Sequence, residues 1–264
     1  MKVYEIYDEE NNISLGALLY FEKEKTFIVE LLSSLDEWTA PLLFTGFVKD
    51  GIYTIPRDIS FLWVKERIIP NGRQNIGAIL NNHRMKAYDE MKFLEIGMGK
   101  CSHDSLIIRK TEDIPEFVRK RMKGNLKECL ITDDYIICFF ADGMVKKVRF
   151  TDLEDIKDTA KIMRNPGLRN SGKVGTGGYY ITFNDSIDVP ATELKKRGRS
   201  LDVSLDDFKL FVKKNIYDTQ QACSELECSR QNLSYLVREG LLEQAKENVK
   251  GSLYLKGDVL KNKW

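Results

Sequence analysis

The sequence predicts an α+β, multidomain protein: two small mixed α/β units, residues 1–123 and 124–199, followed by a C-terminal winged helix-turn-helix, residues 200–264. Three observations predict this class. Short runs of alternating apolar and polar residues, typical of strands, recur through the first 200 residues. Near the C-terminus, apolar residues recur every three or four positions, which is typical of short helices. The chain has 264 residues, 42% of them hydrophobic, and this length favours two or three domains.

The N-terminal unit is expected to begin with strands and to continue with helices. Alternation at Val3 and Ile6, and again over residues 27–31, predicts strands. Trp63 and Val64 are expected to end a strand. Turns are expected at Asn11-Asn12 and at residues 49–51, and helices over residues 73–82, 88–96 and 116–123.

The middle unit is predicted from a hairpin signal. Asp142-Gly143 lies between an apolar run, residues 135–140, and an alternating run, residues 145–150, and an Asp-Gly pair favours the positive φ of a tight turn. A helix is expected over residues 151–163, and a strand over residues 179–183. The residues expected on the inner side of that helix are Leu153, Ile156, Ala160 and Met163. The basic run at residues 195–199 is expected to be a linker.

Two resemblances concern these front units. The middle unit resembles a small bacterial domain of unknown function found near helix-turn-helix and toxin–antitoxin proteins; its marks are Phe140, Asp142-Gly143, Val148 to Phe150, Phe183 to Asp185 and Ile187-Asp188. The N-terminal unit resembles the N-terminal subdomain of persistence-type kinase toxins at Trp63, Arg67, Pro70, Arg73, Asn75, Tyr88-Asp89 and Leu94. Neither resemblance implies a catalytic residue; they imply a structural or docking role.

The C-terminal stretch predicts two short helices and a wing. Asp218 or Thr219 can cap a first helix, whose inner side carries Ala222, Cys223 and Leu226. Ser229 can cap a second helix. Its inner side carries Leu233, Leu236 and Val237, with Leu241 continuing the stripe and Gly240 as a left-handed C-cap.

This stretch resembles the winged helix-turn-helix domains of the excisionase and MerR-like group. Residues 229–241 resemble their recognition helix, Tyr254 and Leu255 the wing strand, and residues 258–260 a final short helix. Glu227 stands where the turn glycine is common, so it is expected to adopt a positive φ.

The outward side of the second helix is the candidate DNA-binding surface. The residues predicted to bind DNA are Arg230, Gln231, Asn232, Ser234, Tyr235, Arg238 and, from the wing, Lys250. Arginine can bridge guanine acceptors, and glutamine or asparagine can pair with adenine. These features favour a DNA-binding transcriptional regulator that recognises double-stranded DNA, with front domains for partner or effector contact. Acidic and basic residues are nearly balanced in this stretch, so a single copy should attract phosphates weakly. A homodimer on paired half-sites is therefore expected, because it adds avidity. The alternative is a non-enzymatic protein-interaction module, antitoxin-like or phage-borne, whose helix-turn-helix docks on a protein.

Other classes of function find little support. The net charge of +1 argues against a histone-like binder, and five scattered cysteines do not form a disulfide pattern. The start lacks a signal peptide and no apolar run has membrane-spanning length, so a cytoplasmic location is expected. The glycine-rich run at residues 172–178 precedes a strand rather than a helix, so a flexible hairpin loop is favoured over a phosphate loop.

No enzyme is expected, and with it no catalytic residue, no cofactor and no metal. Cys101, His103 and Asp104 are neighbours in sequence, but relays of this kind usually combine separate elements. Arg67, Arg73 and His83 could contact phosphate, although surface or interdomain salt bridges are the favoured interpretation.

Overall fold

The computed structural model describes residues 1–156, 158–246, 251–255 and 259, and it is a mixed α+β protein with several antiparallel sheets. The chain divides into two compact units. The first comprises Met1–Asp142 with Lys146–Arg199, and the second comprises Gly143–Val145 with Ser200–Trp264. The expected boundary near residue 200 lies at this division. The one near residue 124 lies inside the first unit.

The strands and the α-helices of the described residues are each numbered in the order in which they occur along the chain. The strands are β1 (Lys2–Asp8), β2 (Ile13–Phe21), β3 (Thr26–Leu31), β4 (Thr54–Ile55), β5 (Leu106–Thr111), β6 (Leu126–Ile131), β7 (Tyr135–Phe140), β8 (Val145–Arg149), β9 (Lys173–Val174), β10 (Tyr180–Phe183), β11 (Ile187–Pro190), β12 (Arg199–Leu201), β13 (Ile216–Asp218) and β14 (Leu253–Leu255). The α-helices are α1 (Thr45–Lys49), α2 (Arg57–Lys65), α3 (Ile76–Asn82), α4 (Glu90–Ile96), α5 (Glu116–Met122), α6 (Thr159–Arg164), α7 (Pro166–Asn170), α8 (Ala191–Arg197), α9 (Leu205–Asn215), α10 (Thr219–Glu225) and α11 (Arg230–Arg238).

The first half of the first unit is a five-stranded sheet in the order β4-β3-β2-β1-β5, with antiparallel neighbours. The predicted early strands and the turn at Asn12, with its φ of +57°, are confirmed. The prediction that Trp63 and Val64 end a strand is wrong. Both are buried in α2, because the helix begins after Pro56 and packs on β3, where the Ser60 hydroxyl accepts from the Val29 amide at 3.0 Å.

The second half of the first unit contains the hairpin strands β6, β7 and β8 and the small sheet β11-β10-β9. The expected positive φ of Gly143 is confirmed at +87°. The expected helix over residues 151–163 is interrupted: a 3₁₀ turn, Phe150–Leu153, is followed by α6, with Asp158 at a φ of +66° before it. Because of this break, a different side of the helix faces the core: Ile162 is buried and Ala160 is exposed.

The two halves of the first unit share side chains. One hydrophobic core lies around β1–β5 and another around β6–β11. A third cluster joins Ala17, Leu19 and Val118 to Tyr179 and Tyr180. The division of residues 1–123 from 124–199 therefore separates two hydrophobic cores, while a shared cluster connects them.

An ion pair within the first of these halves lies near Tyr179 of the shared cluster. The Glu30 side chain is fully buried, and Arg121 Nη1 donates to its Oε2 at 2.8 Å. Thr54 donates to the same oxygen at 2.9 Å. The buried hydroxyl of Tyr179 lies close enough for the Glu30 charge to help burial raise the pKa of this phenol. Burial raises the pKa of Glu30, and Arg121 opposes that rise.

The basic run at residues 195–199 is not a linker. Lys195 and Arg197 belong to α8. Lys195 pairs with Asp142 at 2.5 Å, and Arg197 pairs with Glu193 at 2.7 Å and with Asp155. Their positive charge is favourable at the C-terminal end of a helix, and these ion pairs orient them.

Candidate nucleic-acid interface

The C-terminal unit places two short helices beside a two-stranded sheet. Strand β13 leads directly into α10, and β14 pairs antiparallel with β13, with Tyr217 opposite Tyr254. Ala222 of α10, Leu233 of α11 and Tyr254 of β14 meet in one buried cluster with Leu242 and Val259. The sheet and both helices therefore share one small core that holds α11 by its inner side.

Both helices begin at side-chain caps, as the sequence predicts. Asp218 accepts from the Gln221 amide at 2.8 Å, while Gln221 returns the bond by accepting from the Asp218 amide at 3.1 Å. Ser229 accepts from the Asn232 amide at 3.3 Å. These bonds satisfy amides that the first turn of a helix leaves without a partner, and they set where each helix starts.

The turn between the helices closes through a residue with left-handed backbone. Glu227 has a φ of +51°, so the predicted positive φ is confirmed. Its amide donates to the Ser224 carbonyl at 3.3 Å, and the Cys228 amide donates to the Cys223 carbonyl at 3.0 Å. This bonding pattern ends α10 and turns the chain into the cap of α11.

Helix α11 ends in the same way, at the predicted glycine. Gly240 has a φ of +70°, its amide donates to the Val237 carbonyl at 3.1 Å, and the Leu241 amide donates to the Leu236 carbonyl at 2.9 Å. The inner stripe continues through Leu242, which is buried, rather than through Leu241, which is 55% exposed. The left-handed residue shifts the phase of the stripe by one position, which the helical spacing alone does not reveal.

The outer side of α11 carries the predicted DNA-binding residues. All six of them on this helix are exposed: Arg230, Gln231, Asn232, Ser234, Tyr235 and Arg238. At about 100° per residue, Gln231, Tyr235 and Arg238 lie within about 40° of the direction opposite buried Leu233. Asn232 and Ser234 lie about 100° from Leu233 on its two sides, and Arg230, at the start of the helix, lies about 60° from it. We call this set the α11 face. The seventh predicted residue, Lys250, lies outside the described residues, as do Asp258 and Leu260.

Some side chains of the α11 face are already oriented. The Arg238 guanidinium lies 5.3 Å from the centre of the Tyr235 ring, and its Nε lies 3.2 Å from a carboxylate oxygen of Glu239. The Ser234 hydroxyl donates to the Arg230 carbonyl at 2.9 Å. Gln231 and Asn232 are exposed as well, so the face offers two planar amides, a phenol, a hydroxyl and two guanidinium groups to a ligand.

The electrostatic field around this face is modest. Residues 200–264 contain ten Lys or Arg and ten Asp or Glu, and one of the acids, Glu239, contacts Arg238. A face of this charge attracts a phosphate backbone weakly and depends on directed hydrogen bonds. Cys223 and Cys228 pack partly buried beside the core, as expected, and burial raises the pKa of the Cys228 thiol.

Two elements of this unit were missed from the sequence. Strand β13 has only three residues, and its partner lies far along the chain, so no local pattern marks it. Helix α9 carries a signal that could have been found. Ser204 and Asp207 form a capping box at its start, where the Asp207 amide donates to the Ser204 hydroxyl at 3.0 Å.

The glycine-rich run in the first unit is a packed turn rather than a flexible loop. Gly178 has a φ of +73°, and a Cβ there would lie 2.1 Å from the Leu126 carbonyl oxygen. A Cβ on Gly175 would lie 2.1 Å from the Tyr180 ring. Glycine is therefore needed at both positions, because the Leu126 carbonyl and the Tyr180 ring approach the backbone closely there. The run leads into β10, as expected for a structural turn.

Among the other candidate groups, Arg67, Cys101 and Asp104 are used in structural contacts. Arg67 is buried, its guanidinium centre lies 3.9 Å from the centre of the Trp63 ring, and it pairs with Asp104. Asp104 also accepts from the Cys101 thiol at 3.3 Å and from the Leu106 amide at 3.2 Å. Arg73 and His83 are exposed. Arg67 therefore forms the expected salt bridge, but its guanidinium is buried and its partner lies within the N-terminal half, rather than at the surface or in another domain.

The first unit also contains a half-open cavity of about 750 Å³ between its two halves. Phe27, Phe61 and Ile187 line its apolar wall, and Arg57 closes one side. Arg57 contacts Asp188 through Nε, which lies 2.6 Å from a carboxylate oxygen, and it donates to the Asp185 carbonyl at 2.8 Å. The guanidinium is thus engaged within the protein and ties α2 to the β10–β11 hairpin.

Among the described residues, no group of three or more His, Cys, Asp or Glu side chains is placed to hold a metal ion. Within the same part of the chain, no helix combines the length and the apolar character needed to cross a membrane. Compared with protein-family models, with curated proteins and with solved structures, the chain shows no match.

Proposed function

We propose that this chain is a DNA-binding protein, a transcriptional regulator whose C-terminal unit is a winged helix-turn-helix. The observation that carries the proposal is the α11 face: six exposed polar side chains on a helix whose opposite side is anchored in a core. A helix held in this way after a tight turn has the geometry of a recognition helix that enters the major groove. The pairing of β14 with β13 supports the assignment of β14 as the wing strand.

The positions along α11 suggest a division of roles. Arg230, Gln231 and Tyr235 belong to its first turn and a half, the part of a recognition helix that reaches deepest, and we assign them to base edges. Arg238 lies near the end of the helix, and the sequence predicts that Lys250 belongs to the wing; we assign both to phosphates, which position the protein without reading sequence. Asn232 and Ser234 complete the polar surface on the two flanks of the helix.

We assign no enzymatic role. The first unit serves partner or effector contact in this proposal, and its cavity, with an apolar wall and a charged edge, offers a surface for such contact. Because the charge of residues 200–264 is balanced, a single C-terminal unit would bind phosphates weakly. Two copies on paired half-sites would combine their binding free energies, so we propose that the protein binds DNA as a homodimer.

The test is selection from random double-stranded DNA with the full-length protein, followed by binding measurements over a range of salt concentrations. Arg230→Ala or Gln231→Ala should relax base preference at a few positions, each by about 1–3 kcal/mol. Lys250→Ala should weaken binding to all sequences alike and lower the salt slope by about 1. Gln220→Ala, which removes an exposed amide from α10 instead, is the matched control and should change neither property.

The alternative is a protein-interaction module in which the α11 face docks on another protein. The balanced charge favours it over a non-specific nucleic-acid binder. Absence of salt-sensitive DNA binding at micromolar protein concentration would reject the regulator and leave the interaction module as the better account.

A further inference from the structure

Two thiols lie side by side at the turn between α10 and α11. Cys223 belongs to the last turn of α10, and Cys228 follows Glu227, whose left-handed backbone ends that helix. The Cys228 amide donates to the Cys223 carbonyl at 3.0 Å. This bond defines a helix C-terminal motif in which the side chains at the two bonded positions commonly pack against each other. The turn that ends α10 therefore also brings the two cysteines together.

The two side chains are close enough to interact. Burial raises the pKa of Cys228, and the charge of Cys223 and a hydrogen bond to its side chain raise it further. Both cysteines pack at the edge of the C-terminal core, and both remain partly exposed as free thiols. A disulfide needs Cα atoms about 4.4–6.8 Å apart and side chains directed at each other. A direct backbone hydrogen bond and interacting side chains place this pair near that geometry.

Access to solvent distinguishes this pair from the other pair of neighbouring thiols. Cys129 lies opposite Cys138 in the β6–β7 ladder, but Cys138 is fully buried. A dissolved oxidant has to touch a sulfur atom in order to react with it, so oxidation follows exposure. The fold therefore protects the thiols of the hairpin and presents those of the turn.

We propose that Cys223 and Cys228 form a redox-active pair, which a hydroperoxide converts into a disulfide that fixes the turn between α10 and α11. The thiolate of one cysteine takes an oxygen atom from the hydroperoxide and becomes a sulfenic acid, while hydroxide or an alkoxide leaves. The second thiol then attacks this sulfur: the S–S bond forms, the S–O bond breaks and water leaves. The two sulfur atoms together lose two electrons, which the peroxide bond accepts. A dithiol reductant returns both residues to thiols.

The bridge should stabilise the C-terminal unit without covering its outer surface. It closes a short loop in the unfolded chain, and so reduces the entropy that the chain gains on unfolding. The residues of the α11 face are exposed, whereas both cysteines pack beside the core, so the bridge leaves that face accessible. The redox pair goes beyond the proposed DNA-binding function and does not depend on it.

The experiment is treatment of the full-length protein with hydrogen peroxide, followed by denaturation, alkylation of the remaining thiols and tryptic peptide mapping. Both cysteines of the turn fall in one tryptic peptide, residues 215–230, and both cysteines of the hairpin in another, residues 128–146. We expect the first peptide to escape alkylation, to be lighter by two hydrogen atoms than its reduced form, and to recover in dithiothreitol. The second peptide is the internal control and should oxidise at least about tenfold more slowly.

Two variants separate the bridge from oxidation of a single thiol. Cys228→Ser should abolish the disulfide and leave Cys223 as a sulfenic acid, which dimedone traps. Cys101→Ser, also at a partly exposed thiol, should leave the disulfide unchanged. Circular dichroism checks that both variants keep their helices, and the peptide map of the wild-type protein decides the question where a variant does not fold.

The effect on the turn is measured by hydrogen exchange. In the oxidised wild-type protein, exchange in α11 should slow by about tenfold or more relative to the reduced protein. A peptide 215–230 that stays alkylated, disulfides between chains, equal oxidation of the two peptides, or exchange in α11 that does not slow would each overturn the proposal. Absence of DNA binding in a protein that forms this bridge would reject only the proposed function.

Discussion

Glu227 holds a backbone conformation that its side chain disfavours. Its φ of +51° ends α10 and aims the chain into α11, and Gly240 makes the corresponding turn at the end of α11 with a φ of +70°. Left-handed backbone costs a residue with a Cβ about 1–2 kcal/mol, whereas glycine adopts it freely. One of the two turns that place the α11 face is therefore strained and the other is relaxed.

Substitutions at Glu227 and at Gly240 should change the stability of the C-terminal unit in opposite directions. Glu227→Gly should raise the free energy of unfolding of the C-terminal unit by about 0.5–1 kcal/mol, and Gly240→Ala should lower it by about 1 kcal/mol. A Cβ at Gly240 would meet no atom within 4 Å, so its cost is conformational. Denaturant unfolding followed by circular dichroism measures both. Glu227→Ala is the control, since it removes the charge but keeps the Cβ; stabilisation equal to that of Glu227→Gly would show that charge, not conformation, is responsible.

At the scale of elements, the hairpin β6–β7 brings two thiols directly opposite each other. Cys129 pairs with Cys138 across the antiparallel ladder. Burial raises the pKa of Cys129 to about 11 and that of Cys138 to about 12. Both thiols are therefore neutral at physiological pH and pack as small apolar groups, as their place in apolar runs predicts.

These raised pKa values predict a loss of stability in alkali. In the unfolded chain both thiols ionise near pH 8.5–9, before the folded thiols do. Their contribution is therefore complete below about pH 8.5 and declines as the pH rises towards 11–12. Urea unfolding should lose about 1–2 kcal/mol per thiol between pH 9 and 10.5. Because tyrosines titrate in the same range, the comparison is with Cys129→Ala/Cys138→Ala. A double variant that loses as much stability as the wild type over this interval would contradict the assignment to the thiols.

At the scale of the whole molecule, the two compact units have separate cores. The first is held by three hydrophobic clusters and by the buried pair of Glu30 and Arg121. The described residues of the second unit form a small cluster around Leu233 and Tyr254. Cores without shared residues allow each unit to open locally with its own free energy.

Variants in one unit should therefore leave the stability of the other unchanged. Arg121→Ala leaves the carboxylate of Glu30 buried without its cation and should cost the first unit about 3–5 kcal/mol. Gly240→Ala should destabilise only the second unit. Hydrogen exchange measured peptide by peptide separates the two: Arg121→Ala should speed exchange in β3 and α5 but not in α11, and Gly240→Ala the reverse. Equal acceleration in both units after either substitution would mean that they unfold together.

What the sequence by itself determined is local. The caps at Asp218 and Ser229, the positive φ of Glu227 and Gly240, and the alternation of β1 depend on hydrogen bonds and side-chain spacing within a few residues. The exposed side of α11 follows from the same spacing, because an amphipathic helix buries its apolar stripe. The α+β class was predictable for this reason, as was the set of side chains on the α11 face.

The tertiary structure decided what depends on distant residues. Trp63 lies in a helix because α2 packs on β3. Strand β13 forms because β14, which follows α10 and α11 in the sequence, pairs with it. Arg121 reaches Glu30 across 91 residues of sequence. No local pattern reports such a contact, because its free energy arises only when the whole chain removes both partners from water.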